Sequence, residues 1–187
     1  RGPRLRAVHR LDKETSGLVV FARSIPAERM LGRQFHAHTV VRRYIAVAFG
    51  RVKPQTFTSW LVRDRGDGRR GSGPREQGKL AVTHVEVIEK LPHHTVLRCQ
   101  LETGRTHQIR VHLAEAGHPV CGDRVYHRAA SGETIVDDSE APRLALHAAE
   151  LGFDHPVTGA KLHWEMPLPY DLKGLIRRLR HREGSRR

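Results

Sequence analysis

The chain has 187 residues, 38% of them hydrophobic, so it is long enough for one folded domain with its own core. It has no apolar run long enough to span a membrane, and its two cysteines form no CxxC pair that would indicate a zinc ribbon or a disulfide framework. The formal net charge of +13, carried mostly by arginine, favours an acidic polymer such as RNA or DNA as partner, with a solvated arginine-rich surface as the alternative.

The first predicted elements surround a charged turn. Residues 5–8 predict a short strand, and residues 18–22 are apolar and β-branched enough for one buried strand. Between them lie Asp12 and the turn-forming residues 15–17. Asp12 is therefore expected in a turn just ahead of a strand that enters the core, where a carboxylate is held in a fixed direction. Taken alone, an aspartate in a polar turn more often serves as a turn or cap residue.

A helix and two strands follow. Residues 26–37 predict a helix, because a serine precedes them as a cap and a proline fits the first turn. Residues 40–49 and 57–62 predict strands. Residues 63–78 contain five glycines, many charges and nothing to bury, so they are expected to form a flexible surface loop. This loop either folds around RNA or is a plain hairpin tip.

The second half of the chain alternates strands with helices. Residues 106–116 predict a helix with Ile109, Leu113 and Ala116 on one face, and residues 126–142 form a polar connection. The other predicted elements are strands at 80–88, 95–101, 144–151 and 161–166 and a helix at 171–182 with an apolar inner face. The first two of these strands predict an antiparallel hairpin. Since strands outnumber helices, the predicted fold class is α+β with a mainly antiparallel sheet and flanking helices.

Four sequence blocks occur in a fixed order along the chain. They are HRLDKETSG at 9–17, RYIA at 43–46, TGRTHQIRVH at 103–112, and LALHA at 144–148 with FDHP at 153–156. In this combination they resemble the signature blocks of the RluA-type RNA pseudouridine synthases, and the resemblance spans nearly the whole chain. Four ordered blocks are far more specific than one short motif.

The resemblance implies a mixed sheet split by a central RNA-binding cleft. It also implies that the chain isomerises specific uridines in structured RNA, ribosomal or transfer, to pseudouridine. The N1–C1′ glycosidic bond breaks, the uracil turns, and C5 joins C1′, so no redox change, cofactor or metal is expected. The uridine must first leave its stack, because its reacting atoms are inaccessible inside paired RNA.

Three residues are expected to carry this chemistry. Asp12 is the predicted nucleophile or base, because a carboxylate near C1′ or C2′ must act on the sugar. Arg110 is expected to pair with Asp12 and keep it ionised, the alternative being a phosphate contact from a helix surface. Tyr44 is expected to stack on the uracil with its phenol toward C5, the alternative being a buried core tyrosine.

Other residues are expected to bind the substrate. The resemblance implies that Arg10 enters the space that the flipped base leaves, and that Leu146 lines the base pocket. The start of the helix at 106–116 offers amide groups and arginine for phosphate. The predicted substrate-binding residues are Arg10, Thr15, Arg105, His107, Gln108 and Leu146. Phosphate contacts are also expected from Arg177, Arg178, Arg180 and Arg182 on the last helix.

Two other functions fit parts of the sequence. A non-catalytic RNA-binding module would keep the fold without turnover, although Asp12, Tyr44 and Arg110 are all present. A metal-dependent nuclease would suit the basic charge but needs an acidic cluster for magnesium, which the sequence does not show. Nor do the 14 histidines contain an HExxH spacing, so no metal site is expected.

Residues 1–187 are expected to form a single catalytic domain that lacks an N-terminal block usual in the family. Residues 183–187 are expected to form a basic tail. A monomer in the cytoplasm, without membrane contact, is the simplest expectation, because no signal peptide precedes the domain.

Overall fold

The computed structural model describes residues 4–182, so the predicted tail at 183–187 lies outside the described residues. The strands are β1 (Arg6–Ala7), β2 (Ser16–Gly17), β3 (Phe21–Ala22), β4 (Val41–Phe49), β5 (Gln55–Val62), β6 (Gly71–Ser72), β7 (Lys79–Lys90), β8 (His94–Leu101), β9 (Leu146–Asp154) and β10 (Lys161–Glu165). The helices are α1 (Ile25–His36), α2 (Gln108–Glu115) and α3 (Tyr170–Arg180). None of the helices in this range is both long and apolar enough to cross a membrane.

One large sheet carries most of the strands. Its order is β10-β9-β4-β8-β7-β5-β6, and each neighbouring pair is antiparallel. β2 adds a short parallel pair with β9, which makes the sheet mixed. The predicted α+β class with a mainly antiparallel sheet is therefore confirmed, and so is the hairpin formed by β7 and β8.

The prediction of one buried strand at 18–22 is wrong. Only Phe21–Ala22 is a strand there, paired with Arg6–Ala7, and Ser16–Gly17 is a separate strand before it. Val19 and Phe21 are 39% and 47% exposed, while their neighbours turn toward a small core. An apolar run that alternates in this way is half-buried, because successive side chains of extended backbone point to opposite sides.

The three helices form where predicted, with one error of orientation. Ser24 caps α1, and its Oγ accepts a hydrogen bond from the Ala27 amide at 3.3 Å. α2 is buried on all sides from Gln108 to Ala114, whereas Ala116, predicted to face inward, is exposed. A helix enclosed on every side has no single apolar face, so periodicity alone misplaces it. α3 buries its leucines and isoleucine as predicted.

The main core joins the sheet to α2 and α3. Ala46, Leu97, Leu113 and Leu175 come from β4, β8, α2 and α3, and each is 0% exposed. Burying a leucine side chain contributes about 1.5–3 kcal/mol, so this core fixes α2 firmly against the sheet. The side chains at the start of α2 are therefore held on a rigid element.

The loop at 63–78 is tied to the rest of the domain. Gly71–Ser72 pairs with the end of β5, and Ser72 donates hydrogen bonds from its amide and hydroxyl to Glu115 at 2.8 and 2.6 Å. Arg69 donates to the Val125 carbonyl at 3.2 Å. The expectation of a flexible surface loop is corrected for Gly71–Ser72. This part forms a short strand, and the charged Glu115 side chain attaches it to the end of α2.

The arginines of the last helix contact the protein itself. Arg180 donates two hydrogen bonds to Glu89 at 2.7 and 2.9 Å, and Arg178 donates to the Glu140 carbonyl at 3.1 Å. Arg182 lies 3.8 Å from the Asp138 carboxylate. These contacts do not support phosphate binding by Arg178, Arg180 and Arg182, because their guanidinium groups already have acceptors. Phosphate binding by Arg177 stays a prediction.

Candidate active site

One cleft brings the predicted site together. Its volume is about 420 Å³, and its walls come from the turn at 9–15, the end of α1, the start of β4 and residues 104–110. All the predicted site residues line it: Arg10, Asp12, Thr15, Tyr44, Arg105, His107, Gln108, Arg110 and Leu146. Asp12 is the one carboxylate among the described residues that line the cleft. Four of the other lining residues are arginines.

The turn that carries Asp12 is fixed by a parallel pairing with β9. The Thr15 amide donates to the Asp12 carbonyl at 3.0 Å, which closes the turn. The next two residues, Ser16 and Gly17, pair with His147 and Ala148. Gly17 has a φ of 117°, and a Cβ there would lie 2.2 Å from the Ala148 carbonyl oxygen, so only glycine fits. The short pairing, not a long strand, aims the carboxylate.

Arg110 connects Asp12 to a second, fully buried aspartate. Its NH1 donates to Asp12 Oδ2 at 3.2 Å, while its Nε and NH2 donate to Asp123 at 2.7 and 2.9 Å. Burial alone would lower the pKa of Arg110, but the bonds to Asp123 and Asp12 raise it above the ordinary value. The predicted Asp12–Arg110 contact is present, and Asp123 holds the guanidinium in place from behind.

His107 and Tyr126 form the wall beside this pair. The Nδ1 of His107 is 2.8 Å from the Tyr126 hydroxyl, and its Nε2 is 3.8 Å from Asp12 Oδ1. His107 has a left-handed backbone with φ 61°, a strained conformation for a non-glycine residue. Partial burial, the largest effect, lowers the pKa of His107, although nearby Asp12 raises it. The imidazole is therefore neutral near pH 7.

Tyr44 lies on β4 at a break in the strand pairing. The register between β4 and β9 shifts between Arg43 and Tyr44, and a bulge of this kind redirects the side chains around it. Tyr44 lines the cleft and is half-buried, so it is not a plain core residue. Burial raises the pKa of its phenol to about 12, which keeps the hydroxyl protonated at neutral pH.

Gln108 supports the loop before α2. Its Oε1 accepts from the Thr103 hydroxyl at 2.8 Å and the Arg105 amide at 3.0 Å. Its Nε2 donates to the Val82 carbonyl and the Thr83 hydroxyl, each at 2.9 Å. The amide group is 2% exposed at the residue level and already fully hydrogen-bonded, so its place is structural although it touches the cleft wall.

Further polar side chains form the other walls of the cleft. The Thr15 hydroxyl is buried without a hydrogen-bond partner among the described residues. Arg42 is only 7% exposed, and a Cβ at Gly104 would lie 2.3 Å from its NH1, so this glycine makes room for the guanidinium. Arg10 is exposed at the rim, and Arg105 is half-buried with its Nε bonded to the Leu80 carbonyl at 2.9 Å.

Comparison with known proteins identifies the family of the chain. The family model for RNA pseudouridylate synthases matches residues 1–115, which include both halves of the Asp12–Arg110 pair. The chain belongs to the RNA pseudouridylate synthase family.

Curated members of this family align along almost all of the chain. A ribosomal large subunit pseudouridine synthase D of Nitrosomonas europaea is 43% identical over 96% of this chain and 52% of its own length. The protein of the same name from Pseudomonas aeruginosa is 41% identical over 95% of this chain and 58% of its own. An uncharacterized RNA pseudouridine synthase, YlyB, of Bacillus subtilis is 43% identical over 92% and 55%. The chain thus spans about half the length of the curated relatives it matches.

Solved structures of family members share the fold. The human RNA pseudouridylate synthase domain containing 1 superposes with a TM-score of 0.73 at 26% identity, covering 96% of this chain and 82% of that one. The human domain containing 4 gives a TM-score of 0.78 at 24% identity, covering 94% and 76%, which supports the fold alone.

Two parts of this pseudouridylate synthase site were not predicted from the sequence. Asp123 and Tyr126 lie in or next to the segment interpreted as an irregular connection, yet they are 6% and 5% exposed. Asp123 also accepts hydrogen bonds from the Val125 and Tyr126 amides at 2.9 and 3.0 Å. A buried acid in an irregular segment gives no periodic signal. The one signal that the sequence offers for Asp123 is that it lies 13 residues after Arg110 and has no other assigned role.

Proposed function

We propose that this chain converts specific uridines of structured RNA to pseudouridine, with ribosomal RNA of the large subunit as the favoured substrate. One observation carries the proposal: a single carboxylate, Asp12, lies in a basic cleft and is paired with the buried Arg110. A cleft of about 420 Å³ is within the range that encloses one small ligand, such as a flipped nucleotide. The names of the bacterial relatives favour large-subunit ribosomal RNA over transfer RNA.

The first step breaks the glycosidic bond. Asp12 acts on the sugar, either by attack on C1′ or by removal of the C2′ proton, and the N1–C1′ electrons leave with the uracil. Arg110 has the role of keeping Asp12 ionised and pointing into the cleft. Because Arg110 is itself held by Asp123, its direction does not depend on the substrate. Arg10 has the role of filling the space that the flipped base leaves.

The second step joins C5 to C1′ and then removes the C5 proton. The same step breaks the bond between Asp12 and C1′ if Asp12 attacked there, or returns the proton to C2′ if Asp12 removed it. Tyr44, with a pKa of about 12, acts as a neutral ring that stacks on the uracil and not as a preformed phenolate base. His107 is neutral and its Nε2 is near Asp12, so it is suited to accept the C5 proton or to relay it. N1 of the turned uracil takes up a proton, so the product is an isomer of the substrate.

The remaining predicted substrate contacts have distinct roles in this proposal. The unpartnered Thr15 hydroxyl and Arg105 bind sugar or phosphate groups, and Leu146, 3% exposed, forms the apolar floor for the base. Gln108 acts indirectly, by holding the loop that presents Arg105 and His107.

The test is release of tritium from RNA labelled at C5 of uridine, since C5 loses its hydrogen only when the new bond forms. We expect the chain to release tritium, and Asp12→Asn to lower the single-turnover rate by about 10⁴-fold or more while RNA binding survives, because the amide keeps the shape but not the charge. Glu133→Gln is the matched control, since this acid is exposed and remote from the cleft.

Product identity separates the alternatives. Pseudouridine mapped in large-subunit ribosomal RNA treated with the chain supports the full proposal. Modification of transfer RNA alone would show that transfer RNA is the substrate in place of ribosomal RNA. RNA binding without tritium release by the wild-type chain is the result expected of a non-catalytic RNA-binding module, and would contradict the proposed reaction.

A further inference from the structure

Three side chains that bind metals well meet on the side of the domain away from the cleft. They are His94, Cys121 and Asp137, and one ligand atom from each lies within 4.8 Å of the other two. His94 and Cys121 are both 2% exposed, while Asp137 is at the surface. None of the three lines the active-site cleft.

His94 lacks a partner that its burial demands. Its Nε2 is buried and has no hydrogen-bond partner among the described residues. A buried polar atom left in this state costs free energy unless some group or ion satisfies it. The Asp138 Oδ1 is 3.8 Å from Nε2, too far for a hydrogen bond, and Arg182 is nearby.

The other two ligands are held in place by their backbone. The Cys121 amide donates to the Val47 carbonyl at 2.9 Å, and the Cys121 carbonyl accepts from the Ala145 amide at 2.8 Å. The Asp137 carboxylate accepts from the Gly122 and Ser139 amides at 2.5 and 2.9 Å, which leaves lone pairs free on both oxygens.

We propose that His94, Cys121 and Asp137 form a structural site for a divalent metal ion, with zinc as the preferred ion and Asp138 as the fourth ligand. A mixed set of one imidazole, one thiolate and carboxylates suits tetrahedral zinc, with bonds of about 2.0–2.3 Å. Ligand atoms on such an ion are about 3.3–3.7 Å apart, so the present separations need to shrink by roughly an ångström. The Cys121 thiol gives up its proton to solvent when the sulfur binds the metal.

The position of this metal site suggests what it does. It links the first residue of β8, the turn after Val120 and the long connection before β9. Cys121 lies two residues before Asp123, the aspartate that holds Arg110. The ion would therefore fix the segment that completes the active site without taking part in the reaction. The ligands are 27 and 16 residues apart, which explains why no local spacing motif revealed them.

The test is titration of the chelator-treated chain with Co²⁺ and Zn²⁺. We expect one Co²⁺ per chain with a thiolate-to-cobalt charge-transfer band, displaced by Zn²⁺, and a higher unfolding temperature with Zn²⁺ bound. Asp137→Asn, a surface change that leaves the core intact, should weaken Zn²⁺ binding by about tenfold or more. Cys121→Ser should abolish the charge-transfer band.

Cys99→Ser is the matched control, because this second cysteine is equally buried but lies on β8 opposite Tyr44, away from the three ligands. It should keep both the band and the affinity. Absence of Co²⁺ binding by the wild-type chain would overturn the proposal, as would a charge-transfer band that Cys121→Ser retains and Cys99→Ser loses. These measurements do not use enzymatic activity, so they succeed or fail independently of the proposed reaction.

Discussion

At the scale of single residues, the site is organised around an arginine between two acids. Arg110 is bound to the cleft carboxylate Asp12 on one side and to the buried Asp123 on the other. Asp123 Oδ1 additionally accepts two backbone amides, so its negative charge is well compensated. The outer acid is thus free to act on a substrate, because the inner acid keeps the cation in place.

Asp123→Asn should damage both stability and activity. Removing one charge of a buried, hydrogen-bonded pair leaves the other uncompensated, which costs about 3 kcal/mol of unfolding free energy. Chemical denaturation measures this loss, and single-turnover assays should show a slower reaction because Arg110 is no longer held. Asp67→Asn is the comparison, since Asp67 also forms two hydrogen bonds to an arginine, Arg65, but at the surface. An equal loss of stability in both variants would contradict the argument.

The family resemblance of the sequence blocks led to Asp12 and Arg110 but not to Asp123. Asp12 and Arg110 lie in sequence blocks that match the same family. A carboxylate in a proposed site also suggests a cation as its partner. Asp123 belongs to a stretch without periodicity, and its contact with Arg110 depends on a path of the chain that only the fold defines.

At the scale of elements, the short strand β2 determines where the catalytic turn lies. Gly17→Ala should destabilise the domain by about 2 kcal/mol or more, because the added Cβ meets the Ala148 backbone and the positive φ is unfavourable for alanine. Gly132→Ala has a similar positive φ but open space around its Cβ, so it should cost less. Thermal unfolding of both variants separates the clash from the backbone effect, and equal losses would show that the contact with β9 is unimportant.

α2 contains a buried histidine, His112, whose protonation should destabilise the protein. Burial lowers the pKa of His112 to about 4, since its ring is enclosed between Ser59 and Thr83. In the unfolded chain its pKa returns to about 6.5, so the stability that the neutral ring contributes is present above pH 6.5 and is lost as pH falls toward 4. The loss should amount to about 2–3 kcal/mol. In His112→Gln, the unfolding free energy measured by denaturation should depend less on pH across this range. An unchanged pH dependence of the unfolding free energy would exclude this role for His112.

The elements were predicted unevenly for a physical reason. The second half of β7 and the amphipathic α3 show clear periodicity because each has one side in the core. The segment at 18–22 and the helix α2 do not follow this rule: the first is only half-buried and the second is buried all round. The hydrophobic pattern of a sequence indicates which side of an element is buried. The pattern misleads where the buried residues do not lie on one face of the element.

At the scale of the whole molecule, the net charge of +13 acts through the arginines that remain without acceptors. The arginines of α3 are bonded to Glu89, Glu140 and Asp138, near the β7–β8 turn and the connection before β9. Tyr44 pairs with Cys99 and Glu89 pairs with Val96, three positions away along β8, and none of these arginines lines the cleft. The arginines at the cleft are better placed to bind phosphate.

The salt dependence of RNA binding distinguishes the two groups. Log affinity should fall linearly with log salt, and loss of one phosphate contact should reduce the slope by about 0.7 to 0.9. Arg105→Gln should show this reduction, because Arg105 lines the cleft and only its Nε is bonded within the protein. Arg180→Gln should leave the slope nearly unchanged. A larger effect of the Arg180 variant would return α3 to the RNA-binding surface.

The parallel pairing of β2 with β9 also has a consequence for how the protein folds during its synthesis. Ser16 and His147 are 131 residues apart, and Asp12 and Arg110 are 98 apart. Contacts at such separations form late, because a long loop of chain must close before they form. During synthesis the turn that carries Asp12 therefore has no partner strand until β9 has left the ribosome. We expect a nascent chain with every cleft arginine already translated to lack a formed cleft until β9 arrives.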